Sequence, residues 1–396
     1  MKQWISEIRY QDRATQTFLG SPSIVRLPGG TLVASHDYFG KGSPKDYEGR
    51  ETLTSIYHSY DAGLSWTCVT QLARAFWSSL FLHRGELFLL GTTGDFGHIV
   101  IRKSEDDGFT WTQALDESSG LLFRGGPGME PPNYHCAPMP VLNAGGRLYR
   151  AFEDLDPAIR PIGFRSFVIS CDADADLLKA DNWTMSNKLV YDQEADPPEW
   201  GTNNKGAGWI EGNLVEGPDG QIYNMLRICS EPVTDNCAMV RVYDGGNRVE
   251  FDPAEDFVWL PGSTHKFTIR KDPETGLYWT LSNKGEDPAK HVLRETLSLF
   301  VSPDLREWRF AAALLHDDLG YPTQESKRRT GFQYVDFQFD GDDIIYVVRT
   351  AYDGANSFHD SNRIVFSRVE KFRDLAEVRL MGGSDDIRRV ERPDAN

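Results

Sequence analysis

The stretch Ile210-Glu211-Gly212-Asn213-Leu214-Val215-Glu216-Gly217-Pro218-Asp219-Gly220-Gln221-Ile222-Tyr223-Asn224-Met225-Leu226-Arg227 reads as a β-hairpin. Asn213 to Glu216 is extended. Pro218-Asp219-Gly220 is a turn in which proline presets φ and glycine supplies a positive φ, and Ile222 to Leu226 is the returning strand. Antiparallel strands bring Glu211 and Arg227 out on the same side, opposite the turn. One hairpin therefore presents a carboxylate and a guanidinium together.

The same plan of apolar strand, tight polar turn and apolar strand begins again near Ser23, Ser79, Ala137, Lys266 and Asp336. With Asn213 this makes six units, spaced at roughly 55–75 residues, and self-similarity at such a period marks a repeat architecture. A unit that is nearly all strand predicts one four-stranded antiparallel propeller blade. The expected fold is an all-β, six-bladed β-propeller spanning residues 1–396 as a single domain, or a seven-bladed one if the insertions hide a further sheet. Trp4 to Tyr10 is expected to close the ring as an outer strand of the last blade.

Composition suits this reading. Hydrophobic residues make up 40% and aromatics 12%, enough for sheets packed face to face, and 36 Gly with 21 Pro supply many short turns. The formal charge of −17 argues against a nucleic-acid backbone or an anionic membrane as partner, though a local arginine cluster can still take a small anion. No apolar run approaches the roughly 20 residues of a membrane span. The N-terminal Met1-Lys2-Gln3-Trp4-Ile5-Ser6-Glu7 lacks the apolar segment of a secretory signal, and the five scattered cysteines form no CxxC. Both point to a cytoplasmic location. No HxH or HExxH occurs, so no metal or other cofactor is expected.

Ser59-Tyr60-Asp61-Ala62-Gly63-Leu64-Ser65-Trp66 and Ser104-Glu105-Asp106-Asp107-Gly108-Phe109-Thr110-Trp111 both match S-x-D-x-G-x-[ST]-W. In such a turn Ser and Asp bond backbone groups, Gly takes the left-handed position and Trp packs between sheets. This is the Asp-box, and it resembles the BNR repeat of sialidases and related β-propellers. Asp181-Asn182-Trp183 and Ser302 to Trp308 are fainter echoes. Residues 115–135, 192–208 and 316–331 interrupt the units as long loops, and Asp172 to Asn182 has the composition of a short helix.

Propeller geometry selects mouth candidates, because the starts of innermost strands and the ends of second strands share one face. They include Trp77, Tyr134, His135, Trp209, Glu211, Lys266 and Tyr334 from strand starts, and His36, Asp37, Glu153, Arg227 and Arg349 from second-strand ends. Asp46, Glu48 and Glu51 come from the loop after the first hairpin. Polar and aromatic side chains converging on a concave site are the makings of a sugar pocket.

The resemblance to sialidases extends to this set. Val25-Arg26-Leu27-Pro28 is similar to their Arg-Ile-Pro motif, which implies that Arg26 holds the substrate carboxylate. Glu211 through Arg227 resembles the segment in which a glutamate precedes a second carboxylate-binding arginine. By the same resemblance Tyr334 is the nucleophile polarised by Glu211, Arg294 or Arg349 is the third arginine, and the acid/base comes from Asp46, Glu48 or Glu51. The types fit the chemistry: arginine offers planar bidentate donors to a carboxylate, and a tyrosine nucleophile is the known exception to the two-carboxylate glycosidase plan. The implied partner is an acidic oligosaccharide, cleaved at a terminal sialic acid or uronate.

The chain departs from the sialidase pattern at Ser35-His36-Asp37-Tyr38-Phe39-Gly40, where many sialidases carry a Glu-x-Arg-like element. His36, His58, His135 and Tyr134 are similar in kind to the groups of propeller rhamnosyl-glucuronate lyases and hydrolases and of ulvan lyases. There His36 or Tyr134 would be the base, and Arg227 or Lys266 would neutralise the uronate. Structural readings stand beside these. Arg26 can serve in a wall ion pair, Glu211 and Arg227 can neutralise each other, His36 and His58 can be satisfied wall histidines, and Tyr334, Trp77 and Trp209 can be packing. A non-catalytic glycan-binding propeller is the third class.

Overall fold

The computed structural model describes residues 3–200, 208–229, 233–287 and 293–381. Part of the 192–208 loop, residues 201–207, lies outside them. Six antiparallel sheets follow one another along the chain as the blades of a six-bladed propeller. The first blade is Phe18–Arg26, Leu32–Phe39, Leu53–Ser59 and Thr67–Ala73, and the second is Phe76–His83, Glu86–Thr92, Ile99–Ser104 and Leu121–Phe123. The third is Leu142–Ala144, Arg147–Leu155, Phe164–Asp172 and Trp183–Met185, with Leu189–Val190 as an extra strand. The fourth is Gly208–Glu216, Ile222–Cys229, Asn236–Tyr243 and Arg248–Glu250, again with an addition, Phe257–Trp259. Thr268–Lys271, Tyr278–Ser282, Thr296–Ser302 and Arg309–His316 form the fifth blade.

The sixth blade takes Gly331–Asp340, Asp343–Ala351 and Arg363–Val369 from the end of the chain and Ser6–Tyr10 from its beginning. Ser6 lies opposite Phe366 and Tyr10 opposite Arg363, so the N-terminal strand closes the ring as its pattern predicts. This pairing ties the two ends of the chain into one blade, and the outer edges that remain are short.

The core lies between blades. Phe81, Phe88, Phe152, Phe167 and Trp183 form one such layer, and Trp279, Leu299, Phe332, Val348 and Phe372 another. Sheets covered on both faces explain strands such as Leu32 to Tyr38 that are buried throughout rather than alternating. In the first S-x-D-x-G-x-[ST]-W turn the Ser59 hydroxyl donates to Asp61 (2.8 Å) and accepts from Gly63 N (2.8 Å), while Asp61 accepts from Ser65 N (2.9 Å). Ser104, Asp106, Gly108 and Thr110 repeat the set at 2.9, 2.7 and 2.8 Å. Asp172 to Asn182 forms turns and a 3-10 segment, Ala180–Asn182, rather than a helix, because Asp172 and Asp176 bond backbone amides of their own turns. The α-helices among the described residues are Thr323–Arg329, in the charged 316–331 stretch, and Phe372–Met381.

Four innermost strands carry the same irregularity. Between Gly20 and Ser23, Phe76 and Ser79, Ile210 and Asn213, and Gln333 and Asp336, the inner strand has one residue more than its partner. The first residue of each bulge has a positive φ: Ser21 (32°), Trp77 (45°), Glu211 (62°) and Tyr334 (52°). A non-glycine residue in this region costs about 1–2 kcal/mol. The bulge breaks the alternation of the strand and re-aims the side chain.

Candidate active site

Two of those bulges meet across the ring. The Tyr334 hydroxyl donates to Glu211 Oε1 at 2.6 Å, and Glu211 Oε2 accepts from Arg227 at 2.8 Å. Arg227 also donates to Thr264 O at 2.8 Å, which fixes the guanidinium. Glu211 is only 2% exposed. Burial pushes its pKa up, but the Arg227 charge and the bonds from Tyr334 and Arg227 outweigh this, so the carboxyl is held below its ordinary range. Burial and the neighbouring Glu211 charge raise the Tyr334 phenol to about 12, against the pull of Arg227, Arg294 and Arg349.

Two further arginines flank Tyr334. The Arg349 guanidinium lies 4.9 Å from the Tyr334 ring and 4.5 Å from the Phe39 ring, and donates to Ser361 Oγ (3.1 Å) and His359 O (2.5 Å). Arg294 lies over Phe358 and bonds the Gln333 side-chain oxygen. Burial, with repulsion from Arg227 and Arg349, lowers Arg294 to about 10, and burial lowers Arg349 as well. Among the described residues neither has a carboxylate within salt-bridge distance, and Arg294 Nε is buried without a hydrogen-bond partner.

The third blade adds His135 and Glu153. His135 Nδ1 lies 2.7 Å from Glu153 Oε1, the same oxygen that accepts the Glu211 backbone N–H at 2.9 Å. The His135 ring lies against Trp77 (4.2 Å between centroids), with Phe96 and Phe164 beyond. Asp37, on the first blade, accepts the Trp77 backbone N–H at 2.9 Å and is 2% exposed, and burial raises it to about 7. Of the loop carboxylates, Glu51 accepts from Gly40 N (2.7 Å) beside Phe39, and its pKa is raised, first by burial. Glu48 is tied to Arg50 and to Gly128 N, and Asp46 accepts amides of its own turn.

Other expected site residues lie elsewhere. Arg26 stands at the turn end of its strand, eight residues or about 26 Å of extended chain from Phe18 at the mouth end. Its side chain is 43% exposed and paired with Asp340 at 2.7 Å, so it is a wall ion pair and not a pocket group. Arg349, from the sixth blade, takes the position beside the first blade instead. Its sequence signal was its place at the end of a second strand, and the structure sets it opposite Gln333, one residue before the Tyr334 bulge. His36 is fully buried with its ring nitrogens 3.1 Å from Tyr57 Oη and 3.0 Å from Asp37 O, and burial lowers it to about 4. Strand alternation sends His36 into the wall and Asp37 toward the axis. Tyr134 likewise packs on Phe167 while its neighbour His135 faces the mouth, and Trp209, two residues before Glu211, packs between Tyr191 and Phe251 because the bulge at Glu211 breaks the alternation between them. Lys266 is buried in the ring wall, with Nζ 2.5 Å from both Thr268 Oγ1 and Val335 O. His58 lies in the wall beside Tyr60 and Phe109. The described residues contain no cluster of three or more metal-ligating side chains.

No family model and no curated protein matches the chain. Solved structures do. The chain superimposes on a Penicillium chrysogenum α-L-arabinanase complexed with arabinobiose at TM-score 0.58 and 17% identity, covering 94% of this chain and 98% of that one. The fold is that of the sialidase-like six-bladed propellers. A Trypanosoma rangeli sialidase in complex with sialic acid gives TM-score 0.58 at 14% identity over 92% of this chain and 56% of that one. The intramolecular trans-sialidase of Ruminococcus gnavus, in complex with oseltamivir carboxylate, gives 0.54 at 14% over 93% and 98%. At these identities the likeness is one of fold, and the chemistry has to be argued from the site.

Proposed function

We infer that this protein is a glycoside hydrolase that releases a terminal sugar acid, sialic acid or a related sugar, through a tyrosine nucleophile. The observation that carries the reading is the pair of buried guanidiniums, Arg294 and Arg349, that flank Tyr334 without a carboxylate partner among the described residues. Burying a cation unpaired costs several kcal/mol. An incoming carboxylate would offset that cost and accept hydrogen bonds from planar donors. Arg227, already fixed by Glu211 and Thr264, completes the set.

With the carboxylate held there, the anomeric carbon lies over Tyr334. The phenol oxygen attacks it while Glu211 takes the phenolic proton across the 2.6 Å hydrogen bond. The bond to the leaving oxygen breaks as a carboxylic acid on the first-blade side donates a proton. Of the three loop carboxylates Glu51 fits that role, since its raised pKa keeps more of it protonated and its loop borders Phe39, while Asp37 is engaged by the Trp77 amide. Water then attacks the glycosyl-tyrosine, Glu51 takes the water's proton, and Glu211 returns the first proton to Tyr334. Two displacements retain the anomeric configuration.

The discriminating experiment is incubation with a sialyl oligosaccharide and, separately, a rhamnosyl-glucuronate oligosaccharide, with products followed by mass spectrometry. Free sialic acid from the first and an unchanged second substrate are expected. Rhamnose release, or an unsaturated uronate, would replace this reading with uronate chemistry.

A further inference from the structure

Two buried carboxylates do the same job one pair of blades apart. Asp37, at the end of the second strand of the first blade, accepts the backbone N–H of Trp77, the bulge residue of the second blade, at 2.9 Å. Glu153, at the matching place in the third blade, accepts the backbone N–H of Glu211, the bulge residue of the fourth, at 2.9 Å. In each case the held residue has a positive φ that a β-strand does not supply by itself. Asn283 in the fifth blade performs a related task, donating to Phe332 O of the sixth at 2.7 Å. A carboxylate from one blade thus fixes a left-handed residue in the next.

We propose that Glu153 is a positioning residue for the Tyr334–Glu211 pair, clamping the bulge that aims the Glu211 carboxylate, with His135 holding the clamp. This rests on the reading of Tyr334 and Glu211 as the reacting pair. Glu153 Oε1 carries both bonds, to the Glu211 amide and to His135 Nδ1, while Oε2 is buried without a partner. The His135 and Glu153 backbones also pair with each other, at 2.8 and 3.0 Å, so the clamp is anchored at both its main chain and its side chain. Without it the Glu211 amide is an unmet buried donor and the strained backbone has lost the partner that fixes it. Arg294 and Arg349 make no bond to Glu153, His135 or Glu211, and Arg227 keeps its bond to Thr264 O when Glu211 shifts. A displaced Glu211 should therefore slow the chemistry and leave recognition of the sugar acid largely intact, since misplacement by about 1 Å is enough to cost on the order of 100-fold.

The test compares Glu153→Ala, Glu153→Gln and wild type on a 4-methylumbelliferyl sialoside, with hydrogen exchange at the Glu211 amide followed by mass spectrometry. A glutamine Oε1 can still accept both bonds. Expected for Glu153→Ala are a kcat lowered about 10- to 100-fold, a KM within about twofold and faster exchange at Glu211. Glu153→Gln should keep kcat within about fivefold and keep the amide protected. Wild-type exchange at Glu211 in Glu153→Ala would overturn the clamp, as would loss of kcat in Glu153→Gln equal to that in Glu153→Ala with both variants folded. If wild type fails to cleave the sialoside, the substrate reading fails, and the exchange measurement still decides the clamp. If Glu153→Ala does not fold, the glutamine variant with His135→Ala, which frees one of the two bonds, gives the same comparison.

Discussion

Tyr334 and Glu211 are 123 residues apart in the chain and 2.6 Å apart in space, each on a left-handed bulge residue of a different blade. A phenol whose pKa stands near 12 is a weak nucleophile by itself, and the adjacent carboxylate is the group that can take its proton during attack. Tyr334→Phe keeps the ring and its packing beneath Arg349. It should fold normally and lower kcat on a sialoside by about 10³-fold or more, the scale of losing the nucleophile and its proton transfer. Steady-state rates together with a thermal melt check both parts.

Arg294 and Arg349 give opposite expectations for stability and binding. A structural ion pair loses stability when cut, but Arg294 has no carboxylate to leave behind among the described residues. Arg294→Met removes a buried cation but strands the buried Gln333 oxygen, two effects that oppose each other, so Tm should change little, and KM should rise roughly 10- to 100-fold, the worth of a charge-assisted hydrogen bond. By contrast Arg26→Ala, which cuts an exposed pair with Asp340, should cost under about 1 kcal/mol and leave KM alone. Melting curves and substrate titrations of the two variants decide this.

The pH profile should report Glu51. A general acid works protonated, so activity should fall as pH rises through its pKa, which burial has lifted above the usual carboxylate range. Glu51→Gln should slow the first displacement for a poor leaving group and remove that alkaline limb. Glu48→Gln, on a residue tied to Arg50 and Gly128, should keep the limb in place. The measurement is kcat/KM against pH with a sugar leaving group.

Lys266 governs a separate pH effect. Burial depresses it to about 7 from 10.5, while the unfolded chain keeps the ordinary value. The unfolded state therefore binds more protons between about pH 7 and 10.5. Stability from this group is complete above the unfolded value and declines as pH falls toward 7. Lys266→Met removes the penalty, and Val335 O still accepts from Thr268 Oγ1 at 2.5 Å. The variant should melt higher at pH 7 than wild type, with the difference shrinking by pH 10, as calorimetry across that range would show.

The repeat made the architecture legible. Six hairpins with glycine turns, two S-x-D-x-G-x-[ST]-W segments and a spare N-terminal strand led to six blades and their closure, because each is a local pattern with a local physical cause. The Glu211–Arg227 hairpin was legible for the same reason. What could not be read was which side chains the bulges turn inward. Period-2 alternation assigns faces along a regular strand, and one inserted residue reverses the assignment. That is how Trp209, two residues before the Glu211 bulge, came to be expected at the mouth yet lies in the core. Arg26 matched a motif at the wrong end of its strand, and Arg349, on the last blade, reaches the place that a first-blade arginine was expected to fill. The Glu153 clamp joins two blades across 58 residues, and no local pattern signals it.

The most direct measurement uses a 3-fluorosialosyl fluoride, whose fluorines speed formation of a glycosyl-enzyme and slow its breakdown. Protein mass is followed with time, and the labelled peptide is then sequenced. A single adduct of one sugar on Tyr334, absent in Tyr334→Phe, is the predicted result. An adduct on Glu211 or Glu153, or turnover of a sialoside that survives Tyr334→Phe, would contradict the account.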